Sequence, residues 1–266
     1  MRIMKRFVLL VTAVAVATLT ACTTAPETGR PQLILIDPAQ ETNLGFQAFR
    51  DMKRKKPIVT SGSQAKQLQR AGKRIAAVVK VPQAQWEFVL FKDPDSANAF
   101  ALPGGKVGVY TGILPITKNE AGLATVIAHE IAHVTTRHGA ERMSQSMLID
   151  VGGSVLSSAV GKGAGGFSHN VIMQAYSLGT AVGIALPYSR KQESEADHVG
   201  LLYMARAGYD PRQAVAFWQR FAEYGRKRGS ERLEFLSTHP LDKIRIVALK
   251  RLMPEALQEY KRAKQS

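Results

Sequence analysis

The stretch from Ala121 to about Met147 constrains this chain most. It is made of good helix formers, has no proline, and carries His129-Glu130-Ile131-Ala132-His133. It predicts a long helix on which residues four apart share a face, so both imidazoles can reach one metal ion. Glu130 lies beside that face, where it can take a proton from a water at the metal. His138 is nine residues beyond His129, about 180° around a regular helix. It is therefore not expected to share the metal. The HExxH pattern also occurs in helices that bind nothing, so the remaining ligands must be sought elsewhere in the chain.

A catalytic zinc needs three protein ligands and an open position. The other histidines are His138, His169, His198 and His239. His169 adjoins a glycine-rich stretch and reads as a surface residue. Glu193 and Asp197 are four apart and share a helix face, whereas Glu195 points about 200° away from Glu193. One of the facing pair can bind metal while the other accepts a hydrogen bond from a ligand histidine. The same spacing also suits an exposed acidic face paired with Arg190 and Lys191.

The N-terminus reads as a targeting segment. Arg2, Lys5 and Arg6 precede an apolar run from Phe7 to Thr20, which is short for a membrane span and suits a secretory signal. Leu19-Thr20-Ala21-Cys22 resembles a bacterial lipobox, with Cys22, the single cysteine, as the lipidated residue. Disulfides and cysteine-based zinc or thiol chemistry are thereby excluded from the mature chain. Thr23 follows, not the aspartate of an inner-membrane retention signal, so the expected location is the periplasmic face of the outer membrane. Removal of residues 1–21 lowers the formal charge from +15 to about +12. No nucleic-acid partner is expected for an exported lipoprotein of this kind, and Lys53-Arg54-Lys55-Lys56 reads as a solvated surface run.

Residues 22–45, with Pro26, Gly29, Pro31 and Pro38, are expected to form a lipidated tether, and 46–266 one domain. Helices are expected over Gln64–Val79, Ser189–Gly208, from Asp210-Pro211 to about Arg228, and over Leu241–Lys261 with a possible break at Pro254. Strands are expected at Trp86–Phe91 and Lys106–Thr111. Six glycines in 152–166 suggest a mobile loop or lid, and Val171–Leu186 reads as a buried helix.

The HExxH core is followed by Arg137-His-Gly-Ala-Glu-Arg142, then by Tyr188-Ser-Arg190 leading into Glu193-x-Glu-Ala-Asp197. These blocks resemble the HtpX/CaaX-prenyl-protease type of zinc metallopeptidase, in particular its soluble periplasmic branch. Asn98-Ala-Phe-Ala-Leu-Pro103-Gly-Gly105 and Thr238-His-Pro240 resemble two further family blocks in the expected order. The resemblance implies an α+β, mainly helical, zincin-like fold with a small edge-strand sheet. It implies one Zn2+ held by His129, His133 and Glu193, with Asp197 orienting a ligand histidine. It further implies that Asn98, Ala99 and Phe100 bind substrate backbone by strand addition. His239 would approach the metal, as an oxyanion stabiliser or an inhibitory fourth ligand, and Arg245 would face the cleft. Neither the transmembrane helices of one branch nor the tetratricopeptide array of another is expected in this chain.

The expected function is a zinc endopeptidase, with Glu130 as general base, that degrades misfolded or stalled outer-membrane proteins. An envelope assembly machine is a possible partner. The alternative is a periplasmic chaperone or assembly factor with a gated or structural zinc site.

Overall fold

The computed structural model describes residues 22–81, 83–159, 188–228, 235, 238–239 and 243–265. The signal segment, His169 and the helix expected over 171–186 lie outside them.

The described residues begin with a hairpin of β1 (Cys22–Thr24) and β2 (Pro31–Leu33), paired antiparallel with Cys22 opposite Leu33. Helices α1 (Pro38–Lys55) and α2 (Ser63–Ala76) follow. Next come three strands, β3 (Glu87–Phe91), β4 (Ala99–Leu102) and β5 (Lys106–Tyr110), in spatial order β3-β5-β4. β5 runs parallel to β3 and antiparallel to β4. A 3-10 turn and the short α3 (Leu114–Thr117) lead into α4 (Glu120–Thr135) and α5 (His138–Ala159). The remaining helices among the described residues are α6 (Arg190–Arg206), α7 (Arg212–Arg228) and α8 (Lys243–Ala263), the last continuing through Pro254.

Side chains of the sheet alternate between two cores, as period-two strands require. Phe88, Leu90, Val107, Val109 and Ala99 face the main aliphatic core with α2 and α4. Val89, Phe91, Phe100 and Tyr110 face an aromatic cluster closed by Phe49 of α1. The far edge of β3 is met by Ile58, which bridges to Phe91. β4 is the other edge of the sheet, and it packs beside α4.

α4 is the centre of the molecule, buried on every face from Gly122 to His133. A helix apolar all round belongs in a core, and here α2, α6, α7 and β4 surround it. Asn119 caps its start by accepting the Gly122 amide at 2.8 Å. Its closest neighbour is α6, whose own start is fixed by a capping box between Ser189 and Gln192.

Three expectations change. The single helix over 121–147 is two helices, because Arg137 adopts the left-handed conformation at φ 57°. For a side-chain-bearing residue that costs about 1–2 kcal/mol. The Arg137 guanidinium offsets it by donating to buried Glu41 at 2.9 Å and to the Ile36 carbonyl at 3.1 Å. The expected tether over 22–45 is a hairpin and the start of α1, packed on the domain. Gly29 turns it with φ 68°, and Arg30 is held by Glu141 and Glu195. The glycine-rich stretch is helical to Ala159, so Gly152 and Gly153 lie within α5, and the rest of it lies outside the described residues. An established helix propagates through such glycines at about 1 kcal/mol each.

Gly200 sets the closest approach of α6 to α4. A Cβ there would lie 3.0 Å from the His129 Cα and amide nitrogen, which are backbone atoms that cannot rotate aside. Gly200→Ala should therefore lower stability in urea unfolding by about 1–3 kcal/mol. An unchanged midpoint would show that the two helices can part at no cost.

Candidate metal centre

Four buried donors converge between α4, α6 and the segment before α8: His129, His133, Glu193 and His239. The helical i,i+4 repeat supplies the first pair from α4, and the first turn of α6 supplies Glu193. The His129 and His133 Nε2 atoms are 3.1 Å apart. Glu193 Oε1 lies 3.3 Å from His133 Nε2, and Oε2 lies 3.5 Å from His129 Nε2. His239 Nδ1 completes the group at 3.4 Å from His129 Nε2 and 2.9 Å from Glu193 Oε1. With zinc–nitrogen bonds of about 2.0–2.1 Å, tetrahedral ligand atoms sit roughly 3.3 Å apart. The donor spacing and the imidazole–carboxylate chemistry both fit zinc.

The field of the site also favours a cation. Burial disfavours a charged His129, yet the Asp197 and Glu193 carboxylates raise its pKa to about 9. Burial likewise opposes ionisation of Glu193. Nearby His239 and Arg245, with hydrogen bonds from His129 and His133, nevertheless hold its carboxyl well below the usual range. Asp197 Oδ1 stands 3.1 Å from His129 Nδ1, on the side of the ring away from the cluster.

Arg245 was expected to face the cleft. It is instead 2% exposed, and its Nε and Nη2 donate to the two oxygens of Asp197 at 2.7 and 2.8 Å. Its Nη1 lies 2.6 Å from Glu193 Oε2, and its guanidinium stacks over Trp218 at 4.5 Å. Two buried carboxylates one helical turn apart need a buried counter-charge, and the guanidinium fork supplies it.

Glu130 projects beside the cluster. Burial pushes its pKa up, while His239, His129 and the Ala101 amide of β4 act in the opposite direction. Its Oε1 is buried with no hydrogen bond among the described residues, 3.5 Å from His239 Nε2. It is an acceptor placed to receive a proton. Asn98, Ala99 and Phe100 are buried as whole residues, and the Ala99 amide donates to Asn98 Oδ1 at 2.8 Å. Tyr110 donates to the Asn98 carbonyl across the ladder. The alternation of an antiparallel pair then turns the amides of 99 and 101 away from β5, with Ala101 towards Glu130.

Several residues of the site were not foreseen. The break at Arg137 returns His138 to the site, where its Nδ1 lies 2.8 Å from His133 Nδ1, although it is not among the four converging donors. Tyr188 stacks on His133 with ring centroids 3.8 Å apart, and Trp218 meets His129 edge-on at 5.2 Å. Phe235 stacks on His239 at 4.4 Å. Tyr188 and His138 stand inside the quoted motif blocks, which was the available signal. Nothing in the local sequence marks Trp218 or Phe235.

Known proteins resemble this chain over the same region. The mitochondrial metalloendopeptidase OMA1 of Saccharomyces cerevisiae is 37% identical over 183 residues, covering 67% of this chain and 50% of the relative. Its counterpart of the same name in Schizosaccharomyces pombe is 40% identical over 184 residues, 69% of this chain and 51% of the relative. The beta-barrel assembly-enhancing protease of Escherichia coli is 29% identical over 229 residues, 84% of this chain and 46% of the relative. The chain thus spans about half the length of these curated relatives. The family model described as Peptidase family M48 matches residues 62–253, which include every donor of the cluster. By that match, the chain belongs to peptidase family M48.

Proposed function

We propose that the chain is a zinc-dependent endopeptidase of the bacterial envelope, lipid-anchored through Cys22 at the periplasmic face of the outer membrane. Misfolded or stalled outer-membrane proteins are its substrate class. The carrying observation is the pairing of a zinc-spaced donor cluster with a buried acceptor, Glu130 Oε1, beside β4, an edge strand of the sheet among the described residues. The substrate class rests on the lipobox-like segment and on similarity to a beta-barrel assembly-enhancing protease.

His129, His133 and Glu193 would hold the zinc, which when bound supplies a Lewis acid that makes water a nucleophile near neutral pH. Glu130 accepts the proton of the attacking water and delivers it to the leaving amine. An extended substrate added to the outer edge of β4 passes the Ala101 amide, and so runs alongside Glu130. This is how a protease can accept unfolded chains with little regard to their side chains.

Closure of the resting site favours a gated enzyme. None of His129, Glu130, His133, Glu193 and His239 is more than 3% exposed. A catalytic zinc keeps its fourth position open, and His239 is the fourth donor of this cluster, so the His239 segment would have to move before cleavage. The same closure supports a second reading, a chaperone or assembly factor that binds unfolded proteins and cleaves them only rarely.

Chelation should abolish cleavage of an unfolded protein such as casein, and added zinc should restore it. Glu193→Ala should lose zinc in a stoichiometry assay. Glu130→Gln should keep zinc yet cut casein about 10²–10⁴-fold more slowly; normal proteolysis by that variant would remove Glu130 from the mechanism. If folding assistance survives in Glu130→Gln, the chaperone reading gains a function of its own. His239→Ala should raise casein cleavage several-fold, whereas a fall would assign His239 to the oxyanion and not to the gate.

A further inference from the structure

We infer that Arg30, on the N-terminal hairpin, is a positioning residue for the metal ligand His133, acting through Glu195 and His138. This inference rests on the metal-site reading above. Each link is short and mostly buried. His133 Nδ1 lies 2.8 Å from His138 Nδ1, and His138 Nε2 lies 3.0 Å from Glu195 Oε2. Arg30 Nε donates to that same oxygen at 2.5 Å, and the Thr28 hydroxyl donates to Glu195 Oε1. The other two guanidinium nitrogens of Arg30 fork onto the two oxygens of Glu141, each at 2.7 Å. Glu141 in turn accepts from Gln192 in the first turn of α6 at 2.8 Å.

The proton pattern along this chain has one solution. His133 turns Nε2 to the cluster, so a metal there leaves its Nδ1 carrying the hydrogen. That hydrogen can be donated only if His138 Nδ1 is bare, and His138 then carries its own on Nε2. A proton on His138 Nε2 needs an acceptor, and the Glu195 carboxylate provides it. Glu195 can stay ionised at 8% exposure because Arg30 and Thr28 hold it. Removing Arg30 leaves Glu195 free to turn from His138, and the His133 ring loses the partner that fixes its tautomer and angle.

The arrangement parallels the support of the other histidine. His129 is backed by Asp197, which is held by Arg245. His133 is backed by His138 and Glu195, which are held by Arg30. Each ligand ring thus leads through a carboxylate to an arginine. The first arginine belongs to the helical core, whereas the second sits on a hairpin that begins at Cys22. Undocking of that hairpin would therefore be felt at the metal.

The test is zinc affinity of the full chain, measured by competition with a chromophoric chelator, alongside circular dichroism. Arg30→Ala should weaken zinc about 10–100-fold with helical content unchanged, the usual cost of removing a partner behind a metal ligand. His138→Ala should weaken it to a similar degree. The double variant should be little worse than either single one, because Arg30 acts through His138. Arg206→Ala also loosens the N-terminal segment, through Glu27, but touches no member of the chain, and should keep wild-type affinity. Should Arg30→Ala fail to fold, Arg30→Lys, which keeps the charge but not the fork, should still weaken zinc at least threefold. Wild-type affinity in a folded Arg30 variant, or losses that simply add in the double variant, would overturn the inference. Failure of the metal-site reading would look different: the unmodified chain would bind no zinc, or bind it equally well after His133→Ala.

Discussion

Two carboxylates one turn apart on α6, Glu193 and Asp197, are buried against the imidazoles of α4, and the architecture around them makes that burial tolerable. Withdrawing such charges from water costs several kcal/mol each unless partners are close and well aimed. Arg245 gives one full positive charge to both, and Trp218 lies beneath its guanidinium. One guanidinium does not neutralise two carboxylates, so the site retains a field that favours further positive charge. That field raises His129 against its own burial, and the same field would favour a divalent cation at the point where four donors meet. Gly200 belongs to the same design, since only a helix without a side chain there brings Glu193 within 3.5 Å of His129.

The second organising event is the left-handed turn at Arg137. Without it, α4 would continue and carry His138 to the far side of the cylinder. With it, α5 leaves at a corner whose first residue faces back towards His133. The corner is held from outside by Glu41 at the start of α1, so the segment before the sheet stabilises the geometry of the HExxH helix. Local strain near a site is thus held by contacts made at a distance from it.

Much of this could be read in the sequence, for reasons particular to each part. The i,i+4 spacing of His129 with His133, and of Glu193 with Asp197, is a property of the helix itself, so helical periodicity sufficed. Ser189, Gly208 and Asp210 announced the ends of α6 and the start of α7, because caps are local chemistry. What escaped were features decided across the chain. Pro26, Gly29 and Pro31 suit a linker and a tight hairpin equally well. The choice is made by Arg30 meeting Glu141 and Glu195, 111 and 165 residues away. Glu195 was read as pointing away from Glu193, which it does, but its partners could not be named until His138 had turned inward. Arg245 was taken for a cleft residue because its burial depends on α8 packing along α6, which no local pattern encodes.

The route to an open site follows from how unequally its last segment is held. Arg245 is anchored by bonds to two carboxylates and a stacked indole, so releasing it would expose buried charge. His239, six residues earlier, is held by a ring stack on Phe235 and by its two nitrogens, at 2.9 Å from Glu193 and 3.5 Å from Glu130. In the proposed enzyme both nitrogen contacts are to groups that would find other partners, Glu193 at the metal and Glu130 at the attacking water. The Thr238 carbonyl is tied to the Tyr188 amide at 2.9 Å, and the Tyr188 ring covers His133. Withdrawal of His239 would therefore pull on the aromatic cover of the second ligand and leave the Arg245 clamp closed. Under the proposed strand addition, an extended chain arriving on the edge of β4 would compete with His239 for the space beside Glu130. Substrate binding and opening would then be one equilibrium, in which the substrate would supply the energy of release through backbone hydrogen bonds.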